Sequence, residues 1–432
     1  MSSTEGNQPP EVPETGVPES AVPGIVEPRP RRRTGLVAGA IVGVLALVGG
    51  GVALAVAMQG SGAPGSSPQS AVSGLVEALN KNDTVGVLDR VHPAEAKAFR
   101  DLALTSAAEM KRLEVLRADA DALRMSSGVK AEEVGFDAEP EERITDRISV
   151  VKLVKGRVSM TDDPAQTPYT EKFLKLIEGV PGASVTQTST VDIADVVRRT
   201  GKPVRIATVK VGDAWYPSLY YSVADFVLQL TGRSWPKETI PAVGAATPEQ
   251  AVRELVTAAV DGNTRRVIEL LPPTEMAVAH DIGNALVVQL SGEVPSDTKL
   301  VELQTETKDI PGGKRISPRK IVLETGGTRI SLARDGDCVN IDTSEGKRVA
   351  CLDQMLAGVE EAAAEDGVQL SEAALRAFQG IGRNLLDIGV ATVEENGKHY
   401  LSPTGTINEL FLTFLRGLDA KSLAELTQLG GR

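Results

Sequence analysis

The chain has 432 residues, enough for two or three domains. Apolar residues make up 41% of it but aromatics only 3%, so any core must be built from Val, Leu, Ile and Ala. The formal net charge of -12 excludes a broad basic surface for phosphate backbones, and with it nucleic acid as a partner.

Residues 1–34 are rich in Pro, Glu, Ser and Gly and hold almost no large apolar side chain. Such a segment cannot bury a core, which predicts a disordered cytoplasmic tail. Gly35–Met58 follows, a run without a single charge. A helix of that length rises far enough to span a hydrocarbon core of about 30 Å with some tilt. Arg29, Arg31, Arg32 and Arg33 lie just before the run, and the first basic residue after it is Lys81. The positive-inside rule then predicts a single-pass cell-membrane protein, N-terminus in the cytoplasm and residues 59 onward outside. A cleaved signal peptide is the competing reading; the length of the run and the long segment ahead of it argue against that. Residues 59–67, rich in Gly and Ser, read as a flexible linker.

A first domain is expected over 68–233. Pro68, with Ser67 as cap, opens an amphipathic helix carrying Ala71, Val72, Leu75, Val76 and Leu79. A short helix follows Asn82-Asp83, and a third is expected over 94–123. Strands are expected at 149–159, 184–192 and 203–211, with a short helix at 169–178 and a closing helix at 222–230. Residues 234–246 form a linker. A second domain, 247–432, is expected to repeat the plan with helices at 248–260, 264–271 and 274–290. Its strands fall at 299–307, 319–324, 328–334, 338–342 and 348–351. A helical insertion at 353–389 precedes strands 391–395 and 399–402 and a helix at 406–415.

The repetition is visible residue by residue. Ala71-Val72-x-x-Leu75-Val76-x-Ala78, then Asp83-Thr84, Val87-Leu88-Asp89, Pro93 and Glu95, recurs as Ala251-Val252-x-x-Leu255-Val256-x-Ala258, then Asn263-Thr264, Val267-Ile268-Glu269, Pro273 and Glu275. The two stretches align without a gap. The closing Gly212-Asp213-Ala214-Trp215-Tyr216-Pro217-Ser218 matches Asn396-Gly397-Lys398-His399-Tyr400-Leu401-Ser402 at a slightly larger offset. Polar punctuation matches along with small apolar residues, so the pattern reads as a tandem duplication. Paired domains of this kind often pack through their sheets.

Helices at 68–80 and 84–91, the stop at Asn82-Asp83, their counterparts around Gly262-Asn263, and the two closing hairpins together resemble the nuclear transport factor 2-like superfamily. That family includes ketosteroid isomerases and SnoaL-type cyclases. The resemblance covers most of 68–417. It implies a cone-like α+β fold in which N-terminal helices pack on a curved antiparallel sheet, often around an apolar cavity. The tail, the apolar run and the Val/Ala/Gly/Arg usage also resemble actinobacterial envelope proteins.

Cys338 and Cys351 flank a segment that alternates and turns at Ser344-Glu345-Gly346. If Asp342 faces Lys347, the two cysteines face each other, and a structural disulfide in an oxidising compartment is expected. A redox-active pair is the alternative, though Cys-x-x-Cys is absent.

Chemistry is harder to find. His92, His280 and His399 are far apart and never at metal-ligand spacing on one element. Tyr216 and Tyr400 recur in both copies, which favours packing over catalysis. Asp192, Asp225 and Glu409 sit near element ends. Asp162-Asp163 and Glu139, Glu141 and Glu142 read as solvated loops, and Asp335-Gly336-Asp337 lacks the later ligands of a calcium loop. No nucleophile elbow or phosphate loop is present. No catalytic, cofactor-binding or metal-binding residue is therefore assigned, and no cofactor is expected. The resulting fold class is α+β: a disordered tail, one transmembrane helix, then two tandem cone-like domains. The expected function is a non-enzymatic binding or scaffold module whose partners are the lipid bilayer and an envelope protein. A carrier or sensor of an apolar ligand is the alternative, and an isomerase- or cyclase-type enzyme the third reading.

Overall fold

A computed structural model describes residues 65–123, 125, 128–178, 186–290, 297–365 and 369–430. The 1–34 tail, the Arg29, Arg31, Arg32 and Arg33 cluster and Gly35–Met58 lie outside these residues. The α+β class holds, but its transmembrane helix is corrected: no helix among the described residues is long and apolar enough to cross a membrane.

Three helices open the described chain: α1 (Pro68–Asn80), α2 (Thr84–Arg90) and α3 (Pro93–Arg112). Ser67 caps α1 by accepting from the Ser70 amide, and Asp83 caps α2 through the Gly86 amide. The expectation of a third helix to 123 fails at Arg112. Glu114 takes a left-handed φ of 57°, and the Val115 and Leu116 amides both turn back to the Met110 carbonyl.

Five strands follow, with two helices among them. They are β1 (Val129–Arg143), β2 (Ile148–Asp162), α4 (Glu171–Ile177), β3 (Gln187–Asp192), α5 (Ile193–Thr200), β4 (Val204–Val211) and β5 (Ala214–Pro217). The order is β1-β2-β4-β5, with β3 also pairing β2. β1 went unread because it is acidic and interrupted by register shifts between Glu132 and Glu141. Helix α6 (Leu219–Leu230) closes this unit.

The second unit likewise opens on helices and ends on a hairpin and a closing helix. Helices α7 (Pro248–Val260), α8 (Thr264–Glu269), α9 (Ala277–Asp281) and α10 (Gly283–Leu290) precede β6 (Lys299–Ile310) and β7 (Gly313–Thr325). The single helix expected at 274–290 is two, broken at Ile282-Gly283. Then come β8 (Thr328–Asp335), β9 (Cys338–Thr343), β10 (Gly346–Cys351), α11 (Leu352–Glu365), α12 (Glu372–Leu386), β11 (Val390–Glu395), β12 (Lys398–Leu401), α13 (Pro403–Arg416) and α14 (Ala420–Gly430). The sheet runs β10-β9-β8-β7-β11-β12, with β6 on β7.

The two sheets share a pairing scheme. A long strand, β2 or β7, pairs its hairpin partner throughout, the penultimate strand at one end and a third strand at the other. Gly212 and Gly397 adopt left-handed φ of 59° and 72° in the closing hairpins, where L-residues with a Cβ are disfavoured. One sheet face of each unit packs on its first helix. Val151, Leu153 and Val158 meet Val72, and Leu303, Ile316 and Leu401 meet Ala251 and Val252.

Asp342 pairs with Lys347 and Cys338 with Cys351, and the two sulfurs are bonded, with Cα atoms 4.0 Å apart. The loop closed is short, so loss of the bridge should cost about 3 kcal/mol or less. Cys338→Ser and Cys351→Ser should lower stability by similar amounts in urea unfolding, and the double variant should lose no more than either. Additive losses would show that the thiols contribute separately.

Candidate functional site

A polar geometry that is built twice lies where the two units meet. Glu95, in the first turn of α3, accepts from Ser218 Oγ, from the Leu219 amide at 2.7 Å and from the Tyr220 amide at 3.3 Å. It thereby closes the N-terminus of α6, where free amides and the helix dipole favour a carboxylate. Glu275 repeats the contact on α13, through Ser402 Oγ at 2.7 Å and the Thr404 amide at 2.9 Å. Tyr220 stands between them. Its hydroxyl is pushed to a higher pKa by burial and by the charges of both glutamates.

Each carboxylate serves its own unit, but the helix that follows crosses to the other. Helix α3 runs along α13: Thr105 meets Asn408 at 3.2 Å, Arg112 donates to the Leu415 and Leu418 carbonyls at 2.8 Å, and Arg416 pairs with Glu109. In exchange, α9 and α10 pack on α6, where Val278 and Ile282 join Tyr221, Ala224 and Leu228 over Ile148, Val150, Ala207 and Val209. The units are joined by exchanged helices; the sequence had suggested contact through their sheets.

Around this junction the buried ionisable groups are partnered. Asp281 of α9 accepts from Tyr221 at 2.5 Å and pairs with Arg147. Tyr221 stacks on Trp235, 6.0 Å between centroids, and Trp235 donates to Asp225 at 2.9 Å. Arg205 binds Asp225 at 2.6 Å and Glu142 at 2.7 Å. Glu142 is thus on a strand and paired, a correction to the solvated-loop expectation. Asp225 and Glu409 hold matching positions and are both buried on the inner side of a closing helix. Glu409 pairs with Arg315 of a different strand, β7, at 3.3 Å and with Arg416 of its own helix at 3.4 Å.

The histidines part ways. His92 is the N-cap of α3; burial, then the charge of Arg147, depresses its pKa to about 4. His280 places Nδ1 and Nε2 2.9 and 3.1 Å from the carbonyl oxygens of Ile240 and Leu271. His399 lies on β12, bridged to Ala245. Asp192 caps α5, Tyr400 is buried against Gly244, and Asp337 pairs with Arg383. No group of His, Cys, Asp or Glu among the described residues has metal-holding geometry.

Two surfaces remain. A groove of about 260 Å³ between α4 and α14 is lined by Leu113, Phe173, Leu176 and Ala424, with Lys172 and Lys175 at its side. The outer face of α13 exposes Ile407 (64%), Leu410, Phe411 and Phe414 (47%). On α6 the matching positions carry Val223, Phe226, Val227 and Leu230, the last 58% exposed.

Comparison of the chain with protein-family models, curated proteins and solved structures gives no match.

Glu95 and His92 generate opposite pH dependences. Burial pushes Glu95 up to about 7 against its three hydrogen-bond donors. Its contribution to stability is therefore full below about pH 4.5 and lost as pH rises through 7. His92 is held neutral, so its contribution is full above about pH 6.5 and lost as pH falls through 4. Relative to wild type, Glu95→Gln should gain stability from pH 4.5 to 7, and His92→Asn should gain it from pH 6.5 to 4. Each change should be about 3 kcal/mol. Parallel profiles for variant and wild type in pH-stepped urea unfolding would contradict the assignment.

Proposed function

We propose that residues 65–430 form a non-enzymatic binding module that engages protein partners through the outer faces of α6 and α13. The observation that carries this reading is the paired stripe. Positions i, i+3, i+4 and i+7 of both closing helices are apolar; all four are exposed on α13, while on α6 Val223 and Leu230 are exposed and Phe226 and Val227 half-buried. Stripes with this spacing fit the apolar face of a partner helix, and exposed apolar patches mark interaction sites more often than they mark chance. Buried titratable groups are absorbed in capping the closing helices, in ion pairs beneath them and in the Arg147–Asp281–Tyr221 contact between units, which favours a scaffold over an enzyme. The Cys338–Cys351 bridge favours an oxidising, extracytoplasmic setting. The repeated opening helices, caps and closing hairpins favour a tandem pair of cone-like units related to the nuclear transport factor 2-like superfamily.

A second reading, a carrier of an apolar ligand, is favoured by the groove beside Phe173 and Leu176. Its volume is below the range usual for small-molecule sites. Denaturing extraction of the purified full chain, followed by mass spectrometry, separates the two. The binding-module reading predicts no stoichiometric small molecule; a bound lipid or other apolar compound would replace it with the carrier. The stripe itself is tested by Ile407→Gln with Phe414→Gln. This variant should unfold within about 0.5 kcal/mol of wild type for each substitution, because the side chains stand out from the core. A loss of several kcal/mol would mean that the stripe belongs to the core.

A further inference from the structure

The two units differ most in the sheet face that lies beneath the closing helix. In the first unit Val150 pairs across the sheet with Ala207, whose amide is bonded by Ser222 of α6. In the second, Arg315 pairs with Ala391, whose amide is bonded by Thr406 of α13. The register therefore sets Arg315 where Val150 stands. It also sets Ile316 where Val151 stands, both fully buried, and Arg319 where Val154 stands. Where the first unit sets Val150 and Val154 the second sets Arg315 and Arg319; the first unit also carries Lys152 and Arg205 on this face, with Arg205 bound to Asp225 and Glu142.

The cations converge. Lys308 of β6, Arg315 and Arg319 of β7 and Arg334 of β8 surround one carboxylate, that of Asp387 at the end of α12. The distances are 2.6, 2.9, 3.8 and 2.8 Å. Burial alone would raise the Asp387 pKa, but Lys308, Arg334 and Arg315 hold it below the ordinary carboxylate range. Glu306 and Glu409 are the other carboxylates on these four cations, so the cluster carries four positive charges against three negative. Arg315 Nε is buried without an acceptor. Lys308 and Arg319 keep part of their side chains open to solvent.

A buried ion cluster is a poor source of stability compared with aliphatic packing of the same volume. The first unit shows that this position accepts such packing. The cations at Arg315 and Arg319 are thus not required to build this strand.

We propose that this face is a binding site for a phosphate-type dianion, and that Asp387 occupies it as an internal stand-in. A tetrahedral oxyanion offers more acceptors than one carboxylate and matches the excess charge. Arginine forks suit phosphate oxygens, and a lysine supplies a point charge beside them. Binding replaces Asp387 and frees the end of α12, which is otherwise held by Arg334 on the Leu386 carbonyl and Ser317 on that of Asp387. The occupant is a phosphate group, free or as an ester, and the site is independent of the stripes on α6 and α13. An intramolecular competitor at an effective concentration near millimolar lowers the apparent affinity of the wild type.

Asp387→Asn removes the competitor. The full-length variant, titrated with inorganic phosphate at constant ionic strength, should bind at least tenfold more tightly than wild type by calorimetry. Adding Arg319→Ala and Lys308→Ala should abolish that gain. Equal binding by the variant and wild type, or a gain that survives loss of both cations, overturns the proposal. If Asp387→Asn fails to fold, hydrogen exchange on the wild type decides. Phosphate should speed exchange in the last turn of α12 relative to chloride at equal ionic strength, and unchanged exchange overturns the proposal. Glycerol phosphate alongside inorganic phosphate tells an esterified ligand from a free one by which binds more tightly. The stoichiometric-ligand and stripe measurements can fail without affecting this result.

Discussion

Glu95 accepts hydrogen bonds from Ser218 and the first free amides of α6, and Glu275 does the same for Ser402 and α13. These contacts fix where α3 and α9 begin and so where they point. Each helix leaves its own unit and lies along the closing helix of the other. The core over Ile148, Val150, Ala207 and Val209 is completed only by Val278 and Ile282 from the second unit. Leu113 and Val115 are buried only with Ala377 and Leu418. The cores over α1 and α7 lie within their own units, but these two clusters are closed only by residues of both, which ties the halves into one cooperative body. The junction's charges serve this purpose: Arg147, Tyr221 and Asp281 join the units, and Arg205 neutralises the carboxylates left beneath α6.

Much of the fold could be read from sequence wherever a local rule fixed the element. Ser67-Pro68 and Thr247-Pro248 placed the starts of α1 and α7 because a cap followed by proline allows little else. The hairpin at Ser344-Glu345-Gly346 placed the disulfide, since a turn fixes cross-strand register. Long-range structure was not legible. The acidic β1 lacks alternation and is held by its pairing with β2. α3 ends before Glu114, whose left-handed backbone no local signal announced. The transmembrane expectation rested on hydropathy alone and falls on residues outside the described structure.

The polar clusters illustrate the same limit. Asp225 and Glu409 were visible only as acids near element ends, and their partners come from different strands, Arg205 of β4 and Arg315 of β7. Spacing along one chain cannot show which strand will present the opposing charge. Asp387 gave no signal at all, because it lies some fifty residues or more beyond the three strands that contribute its four cations and meets them only in the folded structure. The apolar stripes were the reverse case. Their periodicity is local to one helix, and only the structure shows that this face turns outward. The two halves share caps, hairpins and stripes and differ in the face beneath the closing helix, where Val150 and Val154 of one stand in the place of Arg315 and Arg319 of the other.

The central claim is that the exchanged helices make the two halves one cooperative unit. It is tested most directly by destabilising one half and watching the other. Leu153→Ala removes buried volume from the first sheet only, at a cost of about 2–5 kcal/mol. Native-state hydrogen exchange should then show protection in β11 and α13 falling by the same free energy as in β2 and β4. If the second half keeps its full protection while the first loses it, the halves are independent domains and the account is wrong.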